Sequence, residues 1–310
     1  MNATIQQILA ENGTKTAKIQ KLILLGLTRK QIAGLVTNGN YGFVQNVYAK
    51  MREQGLLQNM VSRALNTTFN RKFGIEIEAY NITYTTLKNA LTAAGINCQS
   101  EGYNHATRGY WKIVSDASLQ GNNTFELVSP PLQGEAGIEE LKTVCRVLKE
   151  CNAKINKSCG THIHFDAANF NLQTWKNLFK NYKRLENVID NFMPNSRRAN
   201  NNTYCKSLDS FRNFDQQIDS STSIQNIADF FGSRYYKLNP QSYSRHKTIE
   251  FRQHSGTIEF AKISNWIYFL NNLVNKSVEG LIENTTLEGL RDFNNNDLVE
   301  FFTRRTNNLM

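Results

Sequence analysis

The chain is poor in residues that stiffen or staple a fold. Only 4 prolines occur in 310 residues, which excludes a rigid Pro-rich linker. The 5 cysteines (Cys98, Cys145, Cys151, Cys159 and Cys205) are odd in number and include no CxxC pair. Neither a disulfide framework nor a structural zinc site is therefore expected, and the thiols read as small buried hydrophobes of a protein kept in the reducing cytoplasm. No apolar run is long enough to span a bilayer, so no membrane partner is expected. The first residues, MNATIQQILAENG, lack a basic stretch followed by an apolar core and do not read as a secretory signal. There is also no GxxxxGK[ST] loop and no GxGxxG after a strand, so any nucleotide has to be held by metal and sheet side chains rather than by a glycine cradle.

Acidic residues are scarce at one end. Residues 1–72 hold 10 Lys/Arg against only Glu11 and Glu53, which places +8 of the net +10 in this segment. A basic block joined to a nearly neutral body suggests two modules with different partners. Within the block, Thr14 to Leu25 carries Ile19, Leu22 and Ile23 at helical spacing and is broken by Gly26. Thr28, with Gln31 three residues later, looks like a capping box opening a second helix that ends near Gly39. A third starts around Tyr41 and bears Val44, Val47, Tyr48 and Met51 on one face. The stretch resembles a helix-turn-helix unit, and its charge suits DNA, with Asn40, Tyr41, Phe43 and Gln45 as groove-facing candidates. A protein partner, or the chain's own catalytic domain, is the competing occupant. The expected division is a helical module over 1–60 and a larger domain over 61–310, with the polar stretch 55–70 as connector.

Four segments further on share a period of two, which sends alternate side chains to opposite faces of a strand. In FGIEIE, Ile75 and Ile77 point one way and Glu76 and Glu78 the other. In FELVSPP, Phe125 and Leu127 oppose Glu126. In THIHFD, Ile163 and Phe165 oppose His162, His164 and Asp166. In TIEFRQH, Ile249 and Phe251 oppose Glu250, Arg252 and His254. A solvated face would alternate too, but such faces carry Lys, Thr, Ser and Gln rather than this set. Glu76 beside Glu78 is repulsive unless cations intervene. Carboxylates with one or two imidazoles suit Mg²⁺ or Mn²⁺, and Arg252 among them would be available to a phosphoryl oxygen.

Taken in order, FGIEIE, WKIVSDASL followed by FELVSPPLQG, NKSCGTHIHFD, and RYYKLN leading to TIEFRQHSGT resemble the amidoligase family. That family belongs to the glutamine synthetase and γ-glutamylcysteine synthetase superfamily of carboxylate–amine ligases. The resemblance covers about residues 70–275. It implies an α+β fold with an antiparallel, curved sheet and helices on its outer face, beside the small all-α N-terminal bundle. It also implies ATP and Mg²⁺ as cofactors, carboxylate and amine substrates, and an acyl-phosphate intermediate. By the same resemblance Glu76, Glu78, Glu126, His162 and Glu250 ligate metal. Arg252 meets the transferring phosphoryl group, and His164 reaches nucleotide or substrate. Arg234 and Asn239 in RYYKLN contact nucleotide or carboxylate.

Other residues are divided. Asp116, near Trp111 and Ser118, assists metal or amine binding or simply forms a turn. His254 belongs to the site or to packing, and His105 and His246, outside the four strands, read as ordinary surface or loop residues. Arg197, Arg198 and Lys206 either close over an anionic substrate or sit on a solvated loop. Amphipathic helices are predicted over 136–152, 173–192 and 262–283, with a last one near 296–305. Two other functions compete with a ligase: a metal-dependent hydrolase using His162, His164 and Glu76, and a DNA-binding regulator with a non-catalytic body.

Overall fold

A computed structural model describes residues 3–24, 27, 29–54, 56 and 69–309. Gly26 and Thr28, and most of the 55–70 connector, lie outside the described residues. The chain divides into two compact units, residues 1–67 with 294–304, and residues 68–293 with 305–310.

In the first unit the apolar spacing produces α1 (Ala3–Ala10), α2 (Lys15–Leu24), α3 (Arg29–Val36) and α4 (Tyr41–Glu53). The predicted triplet is α2 to α4; α1 is additional. Thr14 caps α2 by accepting the Ala17 N–H at 3.1 Å. Asn38 and Gly39, both with positive φ, reverse the chain after α3, and Asn40 accepts the Phe43 N–H to start α4. Ile8, Ile19, Leu22, Ile23, Ile32, Val44, Val47 and Met51 are buried in a common core. Each such aliphatic side chain contributes about 1.5–3 kcal/mol through its burial.

The second unit is built on one sheet. Its strands are β1 (Lys72–Ala79), β2 (Cys98–Ser100), β3 (Trp111–Val114), β4 (Phe125–Val128), β5 (Leu132–Gln133), β6 (Thr161–Asp166), β7 (Leu238–Asn239) and β8 (Thr248–Phe251). The spatial order is β2-β3-β4-β1-β6-β8-β7, with β5 also paired to β1. The four alternating segments thus occupy adjacent positions, β4-β1-β6-β8. Their pairings are antiparallel, as expected, but β2 and β3 pair in parallel. The loop 101–110 carries the chain back along the sheet between them, and a crossover of that kind is what a parallel pair requires.

Ile75, Ile77, Leu127, Ile163, Phe165, Ile249 and Phe251 form the apolar face and are all essentially inaccessible. Helices cover it: α6 (Gly134–Glu150), α7 (Leu172–Asn191) and α11 (Phe260–Glu279). Asn171 caps α7 by accepting the Thr174 N–H at 2.8 Å. Tyr182 of α7 then places its ring 5.7 Å from that of Phe251. The smaller helices of this unit are α5 (Tyr84–Ala93), α8 (Phe214–Ser220), α9 (Ile224–Phe231) and α10 (Ser242–His246); α12 (Asn296–Leu309) follows, with its residues 296–304 in the first unit. All five cysteines are free and four are buried; burial pushes the Cys145 thiol up to about 12. Among the described residues, no helix is long and apolar enough to cross a membrane.

Candidate active site

Register decides which polar side chains meet. Glu78 lies directly opposite Glu126, Glu76 opposite His162, and Glu250 opposite both His164 and Asn239. Because side chains alternate along each strand, these groups share the face turned away from the helices. Gly160, just before β6, allows the closest approach. Its N–H donates to Glu78 Oε2, and a Cβ there would stand 2.8 Å from His162 Nε2 and 3.1 Å from Arg197 Nη2. The glycine of CGTHIH is therefore a packing requirement of the imidazole that follows it.

His162 sits between two groups of carboxylates. Its Nδ1 is 2.9 Å from Glu76 Oε2 and 3.6 Å from Glu250 Oε1, while its Nε2 is 3.6 Å from Glu78 Oε1. Two sets of donors result, Glu78/Glu126/His162 and Glu76/His162/Glu250, each with ligand atoms within 4.8 Å of one another. Carboxylates and an imidazole converging this closely make a donor set for a hard divalent cation.

The electrostatics carry the same signature. Burial, together with the neighbouring charges of Glu76, Glu78 and Asp116, raises the Glu126 carboxyl well above the ordinary carboxylate range. Burial pushes Glu76 the same way, but His164 and His162 outweigh it and hold that carboxyl well below. Glu250 is also lowered against its burial, chiefly by Arg252. Burial works against a charge on His164, yet Glu76, 3.2 Å from its Nε2, raises it.

Glu250 is gripped at both oxygens. Arg252 Nη1 donates to Oε1 at 2.5 Å and Asn239 Nδ2 donates to Oε2 at 2.6 Å. Arg252 is held in turn by the Tyr204 carbonyl at 3.3 Å, and His164 Nδ1 pairs with Thr248 Oγ1 at 3.0 Å. A cleft of about 320 Å³ opens above this row. Glu76, Glu126, His162, His164, Glu250 and Arg252 line it, as do Arg234, Asn239 and Asp116. Glu78, only 5 % exposed, does not open onto the cleft. Asp116 also accepts the Ser118 N–H at 2.7 Å, so it forms the anticipated turn and faces the cleft at once.

Several expectations need correcting. His105 is exposed on the loop 101–110, as expected, and His246 is half-buried on α10, but both also line the cleft, beside Tyr103 and Arg245. Burial and nearby cationic groups lower both imidazoles. No periodic signal marks them, since they lie on a loop and on the five-residue α10. Arg197 and Arg198 do not close over a substrate. Arg197 is buried and donates to the Cys159 carbonyl at 2.7 Å, and Arg198 donates to Met193 O at 2.7 Å. Lys206 is exposed and is not among the cleft residues. His254, 1 % exposed, donates from Nδ1 to Ser255 O and lies 5.7 Å from the Trp266 ring, so it belongs to packing. Trp111 is in the core, with its indole N–H on Glu140.

No curated protein matches the chain. Among solved structures, one described as a novel glutamine synthase homolog is similar at 10% sequence identity. Its TM-score is 0.43, over 83% of this chain and 70% of that one, a likeness too slight to carry an argument. The family described as "Putative amidoligase enzyme" matches residues 69–274, well over half of the chain and all eight strands of the sheet. The chain therefore belongs to the amidoligase family, and its activity is of the carboxylate–amine ligase kind.

Proposed function

We propose that the second unit is an ATP- and Mg²⁺-dependent ligase that activates a carboxylate as its acyl phosphate and joins it to an amine. The observation that carries this reading is the convergence of five acidic or imidazole donors in two overlapping sets, with Arg252 at their edge. Glu126 in particular suits a cation. A half-buried carboxyl facing Glu78 and Glu76 is strongly disfavoured as an anion unless positive charge is supplied.

In this reading Glu78, Glu126 and His162 hold one Mg²⁺, and Glu76, His162 and Glu250 another. The bound ions supply neutralisation of phosphate charge. A neutral imidazole has one lone pair and one N–H, so His162 serves one ion at a time. The other set then has to be completed by carboxylate oxygens, water or substrate. Arg252, fixed by Glu250 and by the Tyr204 carbonyl, directs its remaining donors at a phosphoryl oxygen. His164, oriented through Thr248, presents Nε2 at the edge of the site. Phosphoryl transfer needs this kind of positioning and charge placement more than it needs a protein nucleophile. A metal-dependent hydrolase would use the imidazoles but would leave the Arg252–Glu250–Asn239 arrangement without a role.

The test is ADP release from ATP by purified chain with Mg²⁺ and pooled carboxylates and amines, with mass spectrometry of the amide products. Glu250→Gln and Glu76→Gln should reduce turnover by at least 100-fold, on the order of 2.7 kcal/mol. Nucleotide-independent hydrolysis by the same preparation would overturn the reading.

We also read residues 1–60 as a recruiting module for a macromolecular substrate, DNA or a protein bound to it. Its charge and the exposed Tyr41 and Phe43 at the start of α4 support this. Removing 1–60 should depress activity on a macromolecular substrate far more than on a free amino acid; equal losses on both would remove the module from the mechanism.

A further inference from the structure

Joining a carboxylate to an amine needs a proton acceptor as well as a phosphoryl site. When an amine nitrogen attacks an acyl carbon its N–H becomes acidic, and a base has to take the proton. In the ligase reading the carboxylates of β1, β4 and β8 serve cations. Asp116 stands on the same acidic side, where its charge helps to raise Glu126. The imidazoles remain, and the chain has 5 histidines.

Geometry separates them. His254 is buried against Trp266 with Nδ1 on Ser255 O. His162 faces carboxylate oxygens with both ring nitrogens. His164 has Nδ1 at 3.0 Å from Thr248 Oγ1 and Nε2 at 3.2 Å from Glu76 Oε1. His105 lines the cleft but is exposed, and its Nε2 is 3.0 Å from Tyr103 Oη. His246 lines the cleft from α10 and is half-buried, and its ring packs edge-on at 6.1 Å against His164. Its Nδ1 is 3.1 Å from Thr107 Oγ1. Among the described residues its Nε2 has no hydrogen-bond partner. One nitrogen is thus anchored and the other is free at the cleft, one ring away from the carboxylate row.

The anchor is built into the fold. Thr107 belongs to the loop 101–110 between β2 and β3. Lys112, 4 % exposed, donates from Nζ to Asn104 O and Oδ1, both at 3.1 Å, and to Ala106 O at 2.8 Å. Glu101 gathers the same loop from its start, accepting from Asn104, Arg108 and Tyr110. The loop so fixed holds Thr107 against α10. The surroundings of His246 favour its neutral form. Burial lowers the imidazole from its ordinary range, and His164, Arg245 and His105 lower it further against the opposing pull of Glu76. Lys247, next in the chain, turns onto the Tyr243 ring at 4.8 Å.

We propose that His246, with its proton on Nδ1 and Thr107 Oγ1 as the acceptor, is the base that takes the proton of the attacking amine on Nε2. This rests on the ligase reading, and the step balances within it. The amine lone pair forms the C–N bond of the amide. The acyl C–O bond to phosphate breaks, and inorganic phosphate leaves with that electron pair. The amine N–H proton passes to His246 Nε2. Thr107 is a positioning residue, since it acts only through the ring.

The test has two readouts on the full chain. Nitrogen NMR of histidine-labelled protein, with the His246 signals assigned by their loss in His246→Gln, should show a neutral ring protonated on Nδ1 at neutral pH. Thr107→Val should move that tautomer toward Nε2–H. In the second readout the chain turns over Mg²⁺, ATP and pooled carboxylates, with pooled amines in one arm and hydroxylamine in the other. Hydroxylamine is unprotonated at neutral pH and traps acyl phosphates without a base. His246→Gln should cut amide formation about 100-fold, the lower end of what a general base supplies, and leave hydroxamate formation within about 3-fold. Added imidazole should restore amide formation to His246→Ala. An Nε2–H tautomer in wild type, equal losses in the two arms, or no recovery with imidazole overturns the proposal. So does an amine-specific loss in Asp116→Asn with His246→Gln at the wild-type rate. Absence of ADP release from wild type in both arms is a different result, and it ends the ligase reading itself.

Discussion

Lys237→Met is expected to destabilise the second unit by about 3–5 kcal/mol, the range for removing one partner of a buried ion pair. Lys237 is completely buried, and its ammonium donates to Glu186 Oε1 and Asp190 Oδ1, each at 2.7 Å. Both acids come from α7, one turn apart. Glu186 also accepts the Leu208 N–H at 2.9 Å. Asp190 also accepts from Gln253 and, at 2.8 Å, from the Ala199 N–H. Methionine retains the volume but leaves two carboxylates side by side with no cation, one of them 1 % exposed. At roughly 2–4 °C per kcal/mol for a unit of this size, the loss corresponds to about 6–20 °C in Tm. Denaturant unfolding followed by tryptophan fluorescence reads it directly. Adding Glu186→Gln to Lys237→Met should recover part of the loss, because it removes one of the uncompensated charges. Activity should fall as well: these acids anchor the 199–208 segment, whose Tyr204 carbonyl holds Arg252. A loss below about 1 kcal/mol, as for a solvated pair, would refute the reasoning.

Gly160→Ala should weaken Mn²⁺ binding roughly 10–100-fold while the sheet still forms, because the new methyl crowds the His162 imidazole and the Arg197 guanidinium; an unchanged Mn²⁺ titration would count against the placement of His162. In metal-free buffer, Glu126 should make stability depend on pH. Its folded-state pKa is raised, so its contribution is fully present below the ordinary value of 4.5 and is lost as pH rises toward the folded value, at no more than about 1.4 kcal/mol per pH unit. Glu126→Gln should flatten that slope and abolish its relief by Mn²⁺, as denaturant midpoints measured across pH would show. Lys112→Met should release the loop 101–110, seen as faster hydrogen exchange over 102–108 with β3 and β4 still protected; uniform protection would mean that Lys112 does not organise the loop.

What the sequence by itself determined is the content of each strand. Period two assigns Glu76 and Glu78 to one face of β1 and Ile75 and Ile77 to the other, and it does the same for His162 and His164 on β6. The helices α6, α7 and α11 were legible within a few residues, because amphipathic spacing is likewise local. The short α1 carries Ile5, Ile8 and Leu9 at helical spacing, yet it is too brief for that pattern to stand out. Tertiary structure alone decided that β4 and β6 flank β1, which sets Glu126 against Glu78 and His162 against Glu76. It also decided that one imidazole serves two groups of acids. The side chains that most misled, Arg197 turned inward onto Cys159 O and His246 turned into the cleft, lie on a single 3-10 turn and a five-residue helix, too short for a periodic pattern to show. The direction of a strand side chain follows from its neighbours in sequence. The direction of a loop side chain depends on which distant backbone group is within reach, and only the folded chain supplies that partner.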